Sequence, residues 1–169
     1  MITTINKDIL TVNKGVIVHS VNCIGGVGGL AGAIARKWPK NAEEYRAHVR
    51  NQKLPIMLLG SVFQVNVAHN VVVANLFGQN QVGTRERQTE YSALINGFKR
   101  IAQTCFDGND IVKISEYTGL EEFPNQLSDI YIPYKIGCGL GGADWKVVEE
   151  IIYKIFEHSF NNVFICKYE

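Results

Sequence analysis

Two short glycine-rich runs constrain this chain more than any other feature, because each stands between an apolar run and a helical pattern. The first (CIGGVGGLAG, 23–32) follows the run 15–21, in which Val16, Ile17 and Val18 are consecutive. The second (GCGLGG, 137–142) follows the strand-like run 129–136 and precedes a helical pattern over 144–156. A β-branched apolar run of this length reads as a buried strand. Glycines leaving such a strand let backbone N–H groups turn inward and approach an anion closely, and the next helix N-terminus adds a favourable dipole. At the carboxyl edge of one sheet, two such loops face each other across a crevice and can grip the two phosphates of a diphosphate.

Other glycine devices fit less well. Glycines that only form tight turns explain one such loop as readily as a phosphate site does, but two on one small sheet favour the site. Both runs match the loose dinucleotide pattern G-x-G-x-x-G/A, through Gly26, Gly28 and Ala31 and through Gly137, Gly139 and Gly142. After the second run only one helix and one strand remain, too little for a βαβ half. After the first, Glu43 or Glu44 lies near the spacing of a ribose-binding carboxylate but reads as a helix start. Neither run ends in Gly-Lys-Ser/Thr, which excludes a P-loop.

The rest of the chain supplies the scaffold. Helical patterns are expected from Gly28 to the stop at Pro39, over 41–52 with Asn41 as N-cap, and over 89–105. Strands are expected at 56–67 and 70–77, joined as a hairpin, and at 163–167. The polar stretch 78–88 is long enough to carry function. Residues 107–128 mix short apolar pieces with Gly119 and Pro124 and are read as a probable insertion. Strands mostly separated by helices give an α/β class, a mixed central sheet covered by helices on both faces.

At 169 residues the chain is read as one domain. Seventeen basic and sixteen acidic side chains leave a net charge of +1, so no extended nucleic-acid surface is evident and any anion must be held locally. The apolar runs are too short to span a bilayer, and the N-terminus lacks a secretory pattern. A cytoplasmic location is therefore expected, with no membrane partner. Cys23, Cys105, Cys138 and Cys166 include no CxxC pair or ligand spacing, so they read as reduced thiols, with no metal site. No cofactor is expected.

Four stretches together resemble the macrodomain family. Asn6-Lys-Asp-Ile-Leu is similar to its "GDI" signature, and 16–22 with Gly28-Gly-Leu-Ala-Gly-Ala-Ile-Ala to its "VNAAN…GGVDGAI" block. Pro133-Tyr-Lys-Ile-Gly-Cys-Gly-Leu-Gly-Gly resembles its second phosphate loop. His19-Ser-Val-Asn-Cys and Asp144-Trp145 are similar to the branch of the yeast-type ADP-ribose-1″-phosphate phosphatase, its phage and bacterial relatives and the terminal ADP-ribose glycohydrolases. The resemblance implies a three-layer α/β/α sandwich and ADP-ribose or ADP-ribose-1″-phosphate as ligand. Asp8 would then bond the adenine amino group, with Ile9 against the ring. The phosphate sites would comprise Gly26, Gly28, Gly29 and Leu30 in the first loop and Gly137, Cys138, Gly139, Leu140, Gly141 and Gly142 in the second.

The resemblance makes His19 the expected acid–base group, in hydrolysis of a terminal phosphate on the distal ribose. A histidine inside a β-branched run is equally often a satisfied core residue. Asn22 binds a distal ribose hydroxyl on the family reading, or caps the turn; Asp144 is either a helix N-cap or a water activator. Ala31 and Gly25 stand where MacroD-type hydrolases carry an aspartate and an asparagine. Near Phe77 to Gln79 and at Gly141, the terminal glycohydrolases' lysine and aspartate are missing. The alternatives are a glycosidic hydrolase acting on ADP-ribosylated protein or nucleic acid, and a non-catalytic ADP-ribose reader.

Overall fold

The computed structural model describes residues 1–107, 110–113 and 129–168. In chain order the elements are β1 (Ile2–Asn6), β2 (Gly15–Asn22), α1 (Gly29–Lys37), α2 (Pro39–Arg50), β3 (Val62–Ala68), β4 (Val71–Gln79), α3 (Tyr91–Ala102), β5 (Thr104–Asp107), β6 (Asp110–Lys113), β7 (Asp129–Pro133), α4 (Trp145–Phe156) and β8 (Asn162–Lys167). Six strands form one sheet in the order β1-β8-β7-β2-β4-β3, parallel except for β3, which runs antiparallel to β4.

Alternation along the central strands sorts the core into two faces. Val16, Val18, Ala74 and Leu76 point to one face, where they meet Leu94, Phe98 and Ile101 of α3 and Val148, Ile152 and Phe156 of α4. Ile17 and Val73 point to the other, against Ile34 of α1, while Val21 and Phe77 pack on Tyr45 and Val49 of α2. The expected mixed sheet with helices on both faces is the architecture observed. Helix α3 approaches the sheet tightly at Gly97, where a Cβ would lie 2.4 Å from Leu76 Cγ. Gly97→Ala gains about 1 kcal/mol of helix propensity but forces this contact, at about 1–3 kcal/mol. A net destabilisation of about 1 kcal/mol is expected, seen as a thermal midpoint roughly 2–4 °C lower.

Four local expectations change. Strand β1 is additional: its short, half-polar sequence hides it, and pairing with β8 creates it. The 3-10 turn Pro55–Leu58, opened by Pro55, takes residues 56–58 out of the strand expected at 56–67, and β3 begins only at Val62. Pro39 ends α1 as expected but also starts α2, so the N-cap is Trp38 and Asn41 lies inside the helix. Helix α3 stops at Ala102, and the chain enters β5 at Thr104. Of the expected insertion at 107–128, Asp107 and β6 belong to a two-stranded sheet of β5 and β6; residues 108–109 and 114–128 lie outside the described residues. Among the described residues no helix is long and apolar enough to cross a membrane.

Candidate functional site: a cleft between two glycine loops

The connections dictate where a ligand can enter. From the carboxyl end of β2 the chain passes through α1 and α2 toward β3 and β4, on one side of the sheet order. From the carboxyl end of β7 it passes through α4 to β8, on the opposite side. β2 and β7 are neighbours, so their carboxyl ends mark the topological switch point, where connections diverge and a crevice opens. The two glycine loops are the segments that leave these ends.

The first loop is shaped by Asn22. Its Oδ1 accepts from the amides of Gly26 (2.9 Å) and Ile24 (3.2 Å), and its Nδ2 donates to the Gly26 carbonyl (2.9 Å). The hydroxyl of Tyr45 on α2 donates to Asn22, lying 2.6 Å from its carbonyl oxygen and 3.0 Å from Oδ1. Asn22 is only 6% exposed, so this placement favours the capping alternative over contact with a ribose. The Gly26 amide is likewise used within the loop. At the start of α1 the first helical amide bond runs from Gly32 to the Gly28 carbonyl, leaving the amides of Gly28, Gly29 and Leu30 without a protein acceptor among the described residues.

The second loop coils more tightly. Cys138 donates to the Lys135 carbonyl, Gly142 to Gly139 and Ala143 to Gly137, while the amides of Gly139, Leu140 and Gly141 meet no protein acceptor among the described residues. Gly137 (φ 73°) and Gly142 (φ 72°) occupy the left-handed region that glycine tolerates. Thr89, fully buried, donates from Oγ1 to the Gly137 carbonyl (2.8 Å), and its amide and that of Gln88 reach the Gly141 carbonyl. The polar stretch after β4 therefore clamps the second loop. It also touches the first, since the Cys23 amide donates to the Asn80 carbonyl at 3.0 Å.

The two loops carry no acidic residue, so nothing within them repels an anion. Burial pushes the thiols of Cys23 and Cys138 up to about 11, so both stay protonated and neither is an activated nucleophile. At the same sheet edge, Asp8 accepts from the Leu10 amide through one carboxylate oxygen (2.9 Å), capping a 3-10 turn. Ile9 is 6% exposed and packs with Val12 and Ile17, so most of its side chain serves the core. Asp144 caps α4 by accepting from the Lys146 amide.

His19 lies where its core-residue alternative puts it. It is 3% exposed, and its Nε2 lies 2.7 Å from Asn75 Oδ1 on β4. The two amide hydrogens of Asn75 point to Asn41 Oδ1 (2.8 Å) and the Phe63 carbonyl (3.0 Å). This orients Asn75 Oδ1 toward His19 and toward Nδ2 of Asn41 (3.1 Å). His19 therefore donates from Nε2, and Nδ1 is an acceptor that meets no partner among the described residues. Burial lowers its pKa to about 4 against the opposing bond to Asn75. A ring this enclosed does not support an acid–base role on a ligand in the cleft; it ties β2 to β4 and, through Asn41, to α2.

Sequence reasoning thus does not single out Tyr45, Thr89 or Asn75, and it reads Asn41 only as a helix cap rather than as the partner of Asn75. Asn75 had a readable signal, an amide inside the apolar strand of β4. Tyr45, at an apolar position of a helical pattern, had none. Among the described residues no cluster of ligating side chains suits a metal.

No protein-family model and no curated protein matches the chain. Solved structures do. A macrodomain protein from Streptomyces coelicolor is 26% identical, covers 100% of both chains and superposes with a TM-score of 0.69. A protein of unknown function from Bacteroides thetaiotaomicron is 28% identical over 98% of each chain, TM-score 0.71. DarTG from Thermosipho africanus, solved in complex with ADP-ribose, is 16% identical over 97% of this chain and 41% of its own, TM-score 0.67. The fold is that of a macrodomain, and the likenesses support the macrodomain family.

Proposed function

We propose that this chain of macrodomain fold binds ADP-ribose or a close derivative, its diphosphate lying between the two glycine loops. The observation that carries the reading is the two amide sets that meet no protein acceptor among the described residues and flank the β2/β7 switch point: Gly28, Gly29 and Leu30 on one side, Gly139, Leu140 and Gly141 on the other. Backbone amides converging on one crevice are an anion site that needs no lysine. The ADP-ribose complex of the Thermosipho protein supports the choice of ligand. The carboxylate oxygen of Asp8 not used in capping is the acceptor for the adenine amino group.

Dephosphorylation of ADP-ribose-1″-phosphate is the second reading. The loop amides are suited to stabilising charge on phosphoryl oxygens, but the reaction then uses a proton carrier other than His19. Glycosidic hydrolysis on ADP-ribosylated protein or nucleic acid is supported less. Positions 79 and 141 do face each other, with a Cβ on Gly141 3.0 Å from Gln79 Oε1, yet neither carries an ionisable group.

Calorimetric titration with ADP-ribose is expected to show saturable one-to-one binding; no heat and no competition by the nucleotide would overturn the reading. Repeating the titration with ADP-ribose-1″-phosphate while following free phosphate separates phosphatase from reader. Phosphate release that persists in His19→Gln supports a phosphatase that does not use His19.

A further inference from the structure

We propose that Tyr45 is a positioning residue that holds the first glycine loop in its anion-binding shape by acting through Asn22. The inference rests on the diphosphate reading above. The pairing of β2 with β4 loses register between Val21 and Asn22, at the point where the strand gives way to the loop. The hydroxyl of Tyr45 takes the Asn22 carbonyl there, at 2.6 Å, and also lies within 3.0 Å of Asn22 Oδ1. That same Oδ1 holds the Ile24 and Gly26 amides, and Nδ2 holds the Gly26 carbonyl. One side-chain amide thus fixes both backbone polar groups of Gly26, and one phenol fixes the amide.

The ring of Tyr45 is 1% exposed among Val21, Val49 and Phe77, so it fills core as any aromatic would. The hydroxyl is what goes beyond packing, because its partner is the residue that shapes the loop. Helix α2 reinforces the grip from outside, where Arg46 Nε donates to the Gly25 carbonyl at 3.2 Å. The helix is itself anchored by the Asn41–Asn75 amide pair, so the phenol is presented from a fixed support. With Gly26 turned inward, the amides left to meet a ligand are those of Gly28, Gly29 and Leu30.

Tyr45→Phe keeps the ring and removes only the hydroxyl, and its thermal midpoint verifies that it is folded. In the nucleotide-free protein, amide exchange at Ile24 and Gly26 is expected to speed up at least tenfold, while Val16 to Val18 are unchanged. ADP-ribose affinity is expected to fall about tenfold and AMP affinity to stay within twofold, since AMP lacks the second phosphate and the distal ribose. Unchanged exchange at Gly26, unchanged ADP-ribose affinity, or an equal loss for both nucleotides overturns the inference. If the unaltered protein binds no ADP-ribose, the functional reading fails with it. The exchange measurement then still tells whether the phenol orders the loop.

Discussion

Replacing Gly141 with alanine is expected to weaken ADP-ribose binding by roughly 30-fold, about 2 kcal/mol. The reason is space rather than backbone angle. A Cβ at this position would lie 2.2 Å from Thr89 Oγ1 and 2.6 Å from the carbonyl oxygen of Gly137. Neither neighbour can yield cheaply: Thr89 is fully buried and its hydroxyl is bonded to that same carbonyl, while Gly137 sits in the left-handed region as the loop's first turn. Forcing a methyl into such a contact costs about 1–3 kcal/mol, and the segment free to relax is the cleft side of the loop. The amides of Gly139, Leu140 and Gly141 then move out of convergence with those of the first loop. Gly139→Ala is the stability control, because a Cβ there meets nothing within 4 Å; its unfolding free energy should stay within about 0.5 kcal/mol of the unaltered protein. Calorimetry and thermal melts on both variants check the pair of expectations.

The second large effect is a loss of stability in mild acid that traces to His19. In the unfolded chain this imidazole takes up its proton near pH 6.5, whereas burial holds the folded ring neutral down to about 4. Above pH 6.5 neither state is protonated and stability is full. As the pH falls through the window, the unfolded chain binds a proton that the native state refuses, and stability drops until the folded ring also titrates near 4. At about 1.4 kcal/mol per pH unit, the window amounts to about 3 kcal/mol, or roughly 10 °C in the thermal midpoint of a chain this size. Burial is the cause, and protonation would also put a hydrogen on Nδ1, which meets no acceptor among the described residues. His48, stacked on Phe63 and also lowered by burial, adds in the same direction. Urea melts at pH 7 and pH 4.5 check the slope. His19→Gln should flatten most of it, and a variant that keeps the full slope would place the titrating group elsewhere.

The glycine loops and His19 separate what the amino-acid sequence makes legible from what only the fold reveals. The glycine loops are legible because they combine three local signals: a β-branched run, a cluster of residues without Cβ atoms, and a helical period. Each signal depends on neighbours in the chain. The placement of His19 depends on Asn75 and Asn41, which are 56 and 34 residues away from their respective partners His19 and Asn75. No spacing rule links those positions, and the same histidine beside the same loop reads equally well as a catalyst. Asn22 behaves alike: a side-chain amide at a strand end can serve ligand or loop, and its partner Tyr45 comes from a helix whose pattern shows only an apolar face. Strand β1 was hidden for a related reason, since an edge strand with a half-polar sequence takes its conformation from the ladder it joins. Pro39 shows the converse, a residue whose fixed backbone angle ends one helix and equally begins the next.

The central claim is that two sets of backbone amides converge on one diphosphate. Backbone ¹⁵N–¹H shift mapping during an ADP-ribose titration tests it most directly, because each amide reports for itself. The account predicts that Gly28, Gly29 and Leu30 shift together with Gly139, Leu140 and Gly141 along one saturable curve, while the Gly26 amide, turned inward to Asn22, moves less than either set. Shifts confined to one loop, or centred away from the carboxyl ends of β2 and β7, would contradict it.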